Sequence, residues 1–474
     1  MAGQFAARLG AALAGSSALA YSLSHGRSGG EAKPKAAHQA SAEEQERPSG
    51  EDQLRLVQVV FRHGARTPLA SRYWQELVEK WDVCGQAYEP CPLLVVSPNG
   101  RPRPFNEDDF NQVSKRYPGG CSKGELTKEG QLQAQDFGRW LRWRYVMIHE
   151  GFLPEKFQAG CVAARTTNYA RTIATLKGVL TGLYPGPTAP HTPVTAVTLE
   201  AIDEMLYANL RACERLKGLI KELSREHRES RRAPAAPEVQ RVEQVAREVL
   251  RLEADEPVNF VSLHDAITTA AAHGKPLPPE LQDRELQRVV EEQATKRFLA
   301  VLAPHVETGR QQEVLRLSMG RLMQLMIQRM DDAASGKRGP KLHLFSGHDS
   351  SVMLLLVALG KELSHWPPYM SHVVFELWRR PSDGVHYVKV LYDRKPLALQ
   401  ELCPGPASAS GGCELHAFKE HVLGPYLLTQ EAHRDECMVT FHHDRPVGEA
   451  GSVEEHDYRG GSTHSAQGAG TMRA

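Results

Sequence analysis

An apolar run that ends in a charged turn constrains the fold of this chain more than any other feature. Residues 54–61 are mostly apolar and rich in β-branched side chains, as is typical of a strand that is buried on both faces. The run leads directly into Arg62-His63-Gly64-Ala65-Arg66-Thr67-Pro68. A histidine flanked by arginines is therefore expected at the end of a central strand.

Two other segments repeat the same pattern of a short apolar run followed by polar residues and a helix. The segment 342–345 breaks at Ser346-Gly347 into His348-Asp349 and an apolar helical run. The segment 161–164 leads to Arg165-Thr166-Thr167 and a second helical pattern. Three such units predict an α/β fold with a mostly parallel sheet flanked by helices, whose loops converge at the carboxyl ends of the strands.

The middle of the chain differs from these units. Across residues 200–330, apolar side chains recur at helical spacing, which predicts a smaller helical cap inserted into the α/β body. After the cap, the runs 373–378 and 385–392 predict a hairpin. We therefore assign the α/β body to residues 53–199 and 331–444.

The two ends of the chain have compositions unlike the body. Residues 1–30 have no acidic side chain and predict a targeting peptide, residues 31–52 a linker, and residues 445–474 a Gly- and Ser-rich disordered tail. None of the six asparagines begins an Asn-x-Ser/Thr sequence. This favours a mitochondrial location, with the secretory pathway as the alternative.

Charge and cysteine content exclude several classes of protein. Lys+Arg and Asp+Glu are both 57, so the chain has no general electrostatic attraction to nucleic acid. Eight cysteines in 474 residues are too few for a disulfide scaffold. Cys84 with Cys91, and Cys403 with Cys413, could each form a disulfide in an oxidising compartment or remain thiols in a reducing one.

The charged turn at residues 62–68 has a chemistry of its own. Arginine side chains suit tetrahedral oxyanions, so two of them around one imidazole predict a phosphate held against a nucleophilic nitrogen. Arg165, before a threonine-capped helix, is expected to face the same anion. Asp349 supplies a carboxylic acid that could protonate a leaving oxygen. The alternative for the turn is a basic surface loop around a packed histidine.

Together these segments resemble the histidine acid phosphatases, the branch of the phosphoglycerate-mutase-like superfamily with an Arg-His-Gly-x-Arg-x-Pro motif. The resemblance covers about residues 54–440. It includes Gly124-Glu125-Leu126-Thr127-Lys128-Glu129-Gly130, Arg165-Thr166-Thr167-Asn168-Tyr169-Ala170-Arg171-Thr172 and Trp366-Pro367-Pro368-Tyr369. The resemblance implies a phosphoric monoester hydrolase.

The resemblance also implies a role for each site residue. His63 is expected to be the nucleophile that becomes phosphohistidine, and Asp349 the proton donor. The expected phosphate-binding residues are Arg62, Arg66, Arg165 and His348. No metal and no other cofactor is expected.

Within the family, the runs Trp366-Pro367-Pro368-Tyr369 and Asp203-Glu204-Met205-Leu206-Tyr207 are most similar to members that act on lysophosphatidic acid. The implied reaction is hydrolysis of this lysophospholipid to monoacylglycerol and phosphate by a monomer, with peripheral membrane contact left open. The alternatives are a broad-specificity acid phosphatase, an inositol or sugar phosphate phosphatase, and a non-catalytic anion-binding module.

Overall fold

The computed structural model describes residues 52–438. The description omits 70–72, 74–76, 231–234, 254, 307–308, 400–401 and 404–411. The predicted targeting peptide, the linker apart from Asp52, and the tail therefore lie outside the described residues. Within the described part, no helix has the length and apolarity needed to span a bilayer.

The described strands form one nine-stranded sheet. The strands are β1 (Gln53–Arg62), β2 (Leu93–Val96), β3 (Val162–Thr166), β4 (Val194–Val197), β5 (Leu342–Gly347), β6 (His372–Arg379), β7 (His386–Tyr392), β8 (Lys395–Pro396) and β9 (Cys413–Glu414). Their order is β2-β4-β3-β5-β1-β6-β7-β8, and β9 pairs with β7. The first five strands of this order are parallel, whereas β6 to β9 are antiparallel. The predicted fold class and the β6–β7 hairpin are confirmed.

Helices cover both faces of the sheet. They are α1 (Glu107–Val113), α2 (Lys128–Arg142), α3 (Ala170–Leu183), α4 (Glu214–Ser230), α5 (Pro237–Leu250), α6 (Phe260–Ala272), α7 (Arg284–Leu302), α8 (Gln311–Ala334), α9 (Asp349–Ala358), α10 (Leu415–Ala417) and α11 (Gln430–Met438). Short 3₁₀ turns lie at Gly186–Thr188, Pro279–Gln282 and Gly424–Tyr426, and π-helical turns at Trp143–Ile148 and Phe418–Val422.

Strand β1 lies between β5 and β6 and is buried on both faces. Val57 and Val59 belong to the apolar cluster that includes α2 and α3, whereas Val60 belongs to the cluster on the opposite face with α8 and α9. Two glycines bring α2 and α3 together. A Cβ on Gly138 would lie 2.1 Å from the backbone oxygen of Val179, and a Cβ on Gly182 would lie 2.0 Å from that of Gln135.

Helices α4 to α7 fall within the predicted cap. Helices α5, α6 and α7 share an apolar cluster that also contains Trp366. Helix α8, in contrast, crosses the predicted cap boundary at residue 330 and packs on the sheet, where the Met326 carbonyl accepts a hydrogen bond from Gln58 Nε2 at 2.9 Å. It therefore packs with the α/β body.

Three disulfides join described residues: Cys84–Cys121, Cys213–Cys437 and Cys403–Cys413. The suggested pairing of Cys84 with Cys91 is wrong. Backbone hydrogen bonds between Trp81 and the segment 118–121 bring Cys121 to Cys84, whereas Cys91 is a buried thiol whose pKa is raised to about 11 by burial. Cys403 and Cys413, for which the sequence leaves both a disulfide and free thiols open, form a disulfide.

Candidate active site

The register between two neighbouring strands brings two histidines together. In the parallel pair β1–β5, Arg62 lies opposite Gly347, so the next residue of each strand is a histidine. The His63 backbone N–H donates to the Gly347 carbonyl at 3.1 Å, and the rings of His63 and His348 meet edge to face, with centroids 5.7 Å apart. The carboxyl ends of β1 and β5 therefore form the floor of a candidate active site.

The His63 ring is fixed with one nitrogen available for chemistry. Its Nδ1 lies 2.9 Å from the Gly64 carbonyl oxygen, and since a carbonyl only accepts, Nδ1 carries the proton. Burial lowers the pKa of His63 well below its usual value, and the positive charges of Arg171, Arg66 and Arg62 lower it further. The imidazole is therefore neutral, with its lone pair on Nε2.

The turn after His63 depends on a close approach between two backbones. A Cβ on Gly64 would lie 2.3 Å from the backbone oxygen of Gly130, near the start of α2. Only glycine lets the turn pack this tightly against α2. The same turn is held by Thr127, whose backbone N–H donates to the Ala65 carbonyl at 3.0 Å.

Three buried arginines surround the two histidines: Arg62, Arg66 and Arg171. They are held by different partners. Arg62 NH1 donates to the Pro367 carbonyl at 2.5 Å, Arg66 lies 2.8 Å from Asp265 on α6, and Arg171 NH1 donates to Gln112 at 2.7 Å. Among the described residues, the Nε atom of each arginine is buried and has no hydrogen-bond partner. Their positive charges act on the His63 ring and favour the binding of an oxyanion beside it.

Arg171, not Arg165, supplies the third guanidinium, and the predicted position of Arg165 in the phosphate site is wrong. Arg165 NH2 lies 3.0 Å from Glu204 Oε1, and both side chains are buried. Arg165 lies within β3. Burial lowers the pKa values of Arg321 and Arg329, both on α8, and the charge of Arg165 lowers them further. Its guanidinium therefore faces α8, on the side of the sheet away from α3.

Arg171 reaches the site because it lies in the first turn of α3, beyond the end of β3. Burial lowers the pKa values of His63 and His348 the most, and among the neighbouring charges that of Arg171 lowers them further than any other. Thr167, which follows β3, contacts His348 as well, with Oγ1 3.1 Å from Nε2. The segment 165–172, part of the family resemblance, contains an Arg-Thr pair at each end. The arginine of the second pair, Arg171, is the one that lies in the site.

Asp349 is the first residue of α9 and lies between a cation and an indole. Its carboxylate is 3.1 Å from Arg62 and accepts a hydrogen bond from Trp366 Nε1 at 3.0 Å. Burial favours the neutral acid, but the Arg62 and Arg66 guanidiniums outweigh that effect and lower the pKa of Asp349 to about 2. The free site therefore holds an ionised carboxylate.

Four residues that the sequence left without a role complete the site. Trp366 orients Asp349, and Asp265 from α6 pairs with Arg66. The Tyr369 ring lies under the Arg62 guanidinium, 4.4 Å from its centroid, and its buried hydroxyl has no hydrogen-bond partner in the described structure. Arg171 is the fourth. The run Trp366-Pro367-Pro368-Tyr369 was the available signal for the two aromatic residues, whereas Asp265 has no local signal.

A family model described as histidine phosphatase superfamily (branch 2) matches residues 53–393, and the chain belongs to this superfamily. It is a phosphoric monoester hydrolase of the histidine acid phosphatase type. Lysophosphatidic acid phosphatase type 6 of Homo sapiens is 28% identical over 396 residues, which cover 82% of this chain and 86% of the relative. Lysosomal acid phosphatase of Bos taurus is 28% identical over 349 residues, or 70% and 69% of the two chains.

Solved structures share the fold at lower identity. Multiple inositol polyphosphate phosphatase of Bifidobacterium longum, in complex with inositol hexasulfate, has a TM-score of 0.54 at 12% identity and covers 85% of this chain and 98% of its own. Hafnia alvei phytase in complex with tartrate has a TM-score of 0.51 at 16% identity, with coverages of 80% and 98%. These similarities concern the fold alone.

Proposed function

We propose that this chain hydrolyses lysophosphatidic acid to monoacylglycerol and phosphate through a phosphohistidine on His63. One observation carries the chemistry. The neutral His63 ring, with its lone pair on Nε2, lies among the buried guanidiniums of Arg62, Arg66 and Arg171, whose positive charges act on it. A nucleophile surrounded by donors for an oxyanion is suited to phosphoryl transfer, and simple anion binding needs no such nucleophile.

In the first step, the Nε2 lone pair of His63 forms a bond to phosphorus while the ester P–O bond breaks in line. The bonding electrons leave with the ester oxygen. This oxygen takes a proton from Asp349, which is ionised in the free site and receives that proton from the bound substrate monoanion. The transition state spreads negative charge over the three equatorial oxygens, and the three guanidiniums stabilise that charge.

In the second step, water attacks the phosphohistidine. Asp349, now ionised, accepts a proton from this water, and the N–P bond breaks with its electrons returning to His63. Inorganic phosphate leaves as the monoanion with the proton that Asp349 accepted, so His63 is again neutral and Asp349 is again ionised. The Trp366 indole holds the Asp349 carboxylate in place through both steps.

The lipid substrate is supported by the relatives named lysophosphatidic acid phosphatase type 6. Other relatives are named acid phosphatases, which supports a broad-specificity acid phosphatase as the second candidate. Hydrolysis of lysophosphatidic acid, a sugar phosphate and an inositol polyphosphate should be compared with EDTA present. We expect the highest kcat/KM for lysophosphatidic acid. Equal rates on all three would favour the second candidate, and activity lost to EDTA would contradict the proposed metal-independent mechanism.

A rapid-quench experiment with labelled substrate tests the covalent step. We expect an acid-labile, base-stable phosphoryl group on His63 of the wild-type chain and none on the His63→Ala variant. Label that appears only as free phosphate, with full activity in His63→Ala, would contradict the mechanism. A chain that binds phosphate tightly and turns nothing over would instead be an anion-binding module.

We also propose that the chain works in an oxidising compartment. Three cysteine pairs within the described residues are bonded, and disulfides are rare in reducing compartments. Mitochondrial import would then have to end in the intermembrane space, and the secretory pathway is the alternative. Localising the full chain and a form without residues 1–30 tests the targeting prediction, because an unchanged distribution would contradict it.

A further inference from the structure

A pocket of about 430 Å³ is lined by Pro104, Phe105, Glu200, Ala201, Ile202 and Arg211. Two of its side chains are large, apolar and exposed: Phe105 is 75% exposed and Ile202 is 49% exposed. Phe110, itself 56% exposed, extends this surface, with its ring centroid 5.7 Å from that of Phe105. Clustered exposed apolar side chains of this kind commonly mark binding sites.

One wall of the pocket leads to the active site through Asn168. The Asn168 side chain donates to the Pro104 carbonyl at 2.8 Å, and Asn106 Nδ2 donates to the Asn168 carbonyl at 2.6 Å. The next residue, Tyr169, meets the His348 ring edge to face, with centroids 5.3 Å apart. This wall therefore ends against a catalytic-site histidine.

The opposite wall leads to the same histidine. Asn209 Nδ2 donates to the Ala201 carbonyl at 2.8 Å and to the Glu204 carbonyl at 3.0 Å, which fixes the turn that carries Ile202. Tyr207 lies between Glu204 and Asn209 in the chain, and its ring contacts that of His348, with centroids 5.8 Å apart. One side of the pocket is therefore hydrogen bonded to the segment of Tyr169, the other side precedes Tyr207 in the chain, and both tyrosines contact His348.

The charges around the pocket do not favour a polyanionic leaving group. Arg211 is a cation of the lining. It pairs with Asp108 of α1 at 2.9 Å, and its side chain is 34% exposed, unlike the three buried arginines of the active site. Glu200 adds a negative charge. Among these lining residues, a second phosphate group would meet a single, partly exposed arginine beside a glutamate, whereas an apolar group would cover Phe105 and Ile202.

We propose that this pocket binds the acyl chain of the substrate while the phosphate is held at His63. The inference rests on the proposed function and adds the position of the leaving group. Contact with Phe105 and Ile202 would remove the methylene groups from water, so longer chains should be better substrates until the pocket is filled.

The test measures kcat/KM for glycerol phosphate, for an aryl phosphate, and for lysophosphatidic acids of short, medium and long acyl chain, each presented both as monomers and in vesicles. In the wild-type chain, we expect kcat/KM to rise about three- to fourfold per methylene over the shorter chains. The double variant Phe105→Ser/Ile202→Ser should lose at least about tenfold on the long chain and keep its aryl phosphatase activity. Leu132→Ser, at a 47% exposed leucine on α2, is the matched control and should behave as wild type.

The outcomes separate this inference from the proposed function. An unchanged dependence on chain length in the double variant would overturn the acyl pocket, as would a loss confined to vesicle-borne substrate, which would assign the patch to a membrane surface. No preference for any acyl chain in the wild type, with aryl phosphate still hydrolysed, would overturn the pocket and the lipid substrate but leave the phosphatase chemistry. No hydrolysis at all would overturn the proposed function itself.

Discussion

The guanidinium of Arg62 lies 3.1 Å from the carboxylate of Asp349. Burial alone would raise the pKa of this carboxyl group, but Arg62 and Arg66 hold it at about 2. The acid of the proposed mechanism is therefore ionised in the free enzyme above that pH. A substrate phosphate that binds Arg62 and Arg66 competes with the Asp349 carboxylate for these two cations. Because Asp349 is ionised before the substrate binds, the proton for the leaving oxygen must arrive with the substrate.

This source of the proton predicts how activity depends on pH. The second pKa of a phosphate monoester is about 6, so the monoanion that carries the proton disappears above that pH. We expect kcat/KM to fall about tenfold per pH unit above pH 6, while His63, with its lowered pKa, stays neutral throughout. Two aryl phosphates with different second pKa values should show midpoints that differ in the same direction. A common midpoint would assign the decline to a group on the protein.

The acid role of Asp349 predicts a dependence on the leaving group. Asp349→Asn keeps an oxygen for the Trp366 indole but has no proton to donate. We expect kcat for an alkyl phosphate to fall by about 10²–10⁴, and kcat for an aryl phosphate with an acidic phenol to fall far less. Steady-state kinetics on the two substrates measure this difference. Equal losses would contradict the role as proton donor.

Arg171 and Arg165 should differ in what they contribute. Arg171→Ala removes a cation beside His63, so we expect kcat/KM to fall by at least about 10² with phosphate binding weakened. Arg165→Ala leaves Glu204 buried without its cation, so the free energy of unfolding should fall by about 3–5 kcal/mol. Kinetics and denaturant unfolding of both variants test the assignment. It fails if Arg165→Ala is the variant that loses phosphate binding while keeping its stability.

Buried histidines predict a loss of stability in acid. Burial lowers the pKa values of His343 and His372 to about 3, below the usual value of 6.5, so the unfolded chain binds protons that the folded chain excludes. Stability should be full above pH 6.5 and decline as the pH falls towards 3, by about 2 kcal/mol for each histidine at pH 5. Thermal unfolding at pH 7 and pH 5 measures this. His343→Gln should lose less than wild type, and equal melting temperatures of the wild type at both pH values would contradict the prediction.

The sequence predicts the strands of this fold well because their signals are local. The apolar run before Arg62 and the one before His348 are followed directly by the residues that the parallel register brings side by side. The position of Arg165 could not be predicted in the same way. The direction of a strand side chain depends on which face of the sheet it joins, and Arg165 joins the face of α8, where Glu204 binds it.

The remaining features depend on contacts between distant segments. Cys84 forms a disulfide with Cys121 because backbone hydrogen bonds hold Trp81 against the segment 118–121. No spacing rule predicts such a pairing. Asp265 reaches Arg66 from the cap, and the pocket lined by Phe105 and Ile202 forms only when two loops meet. Each needs the tertiary structure before it can be recognised.

The position of β1 has a consequence for synthesis on the ribosome. This strand leaves the exit tunnel early, but both of its neighbours, β5 and β6, follow the whole cap in the chain. At a synthesis rate of roughly 5–20 residues per second, this apolar strand, which precedes His63, remains without its partner strands for tens of seconds. We expect the nascent chain to need a chaperone over this interval, and expression at low temperature, which slows aggregation, to improve the yield of folded enzyme.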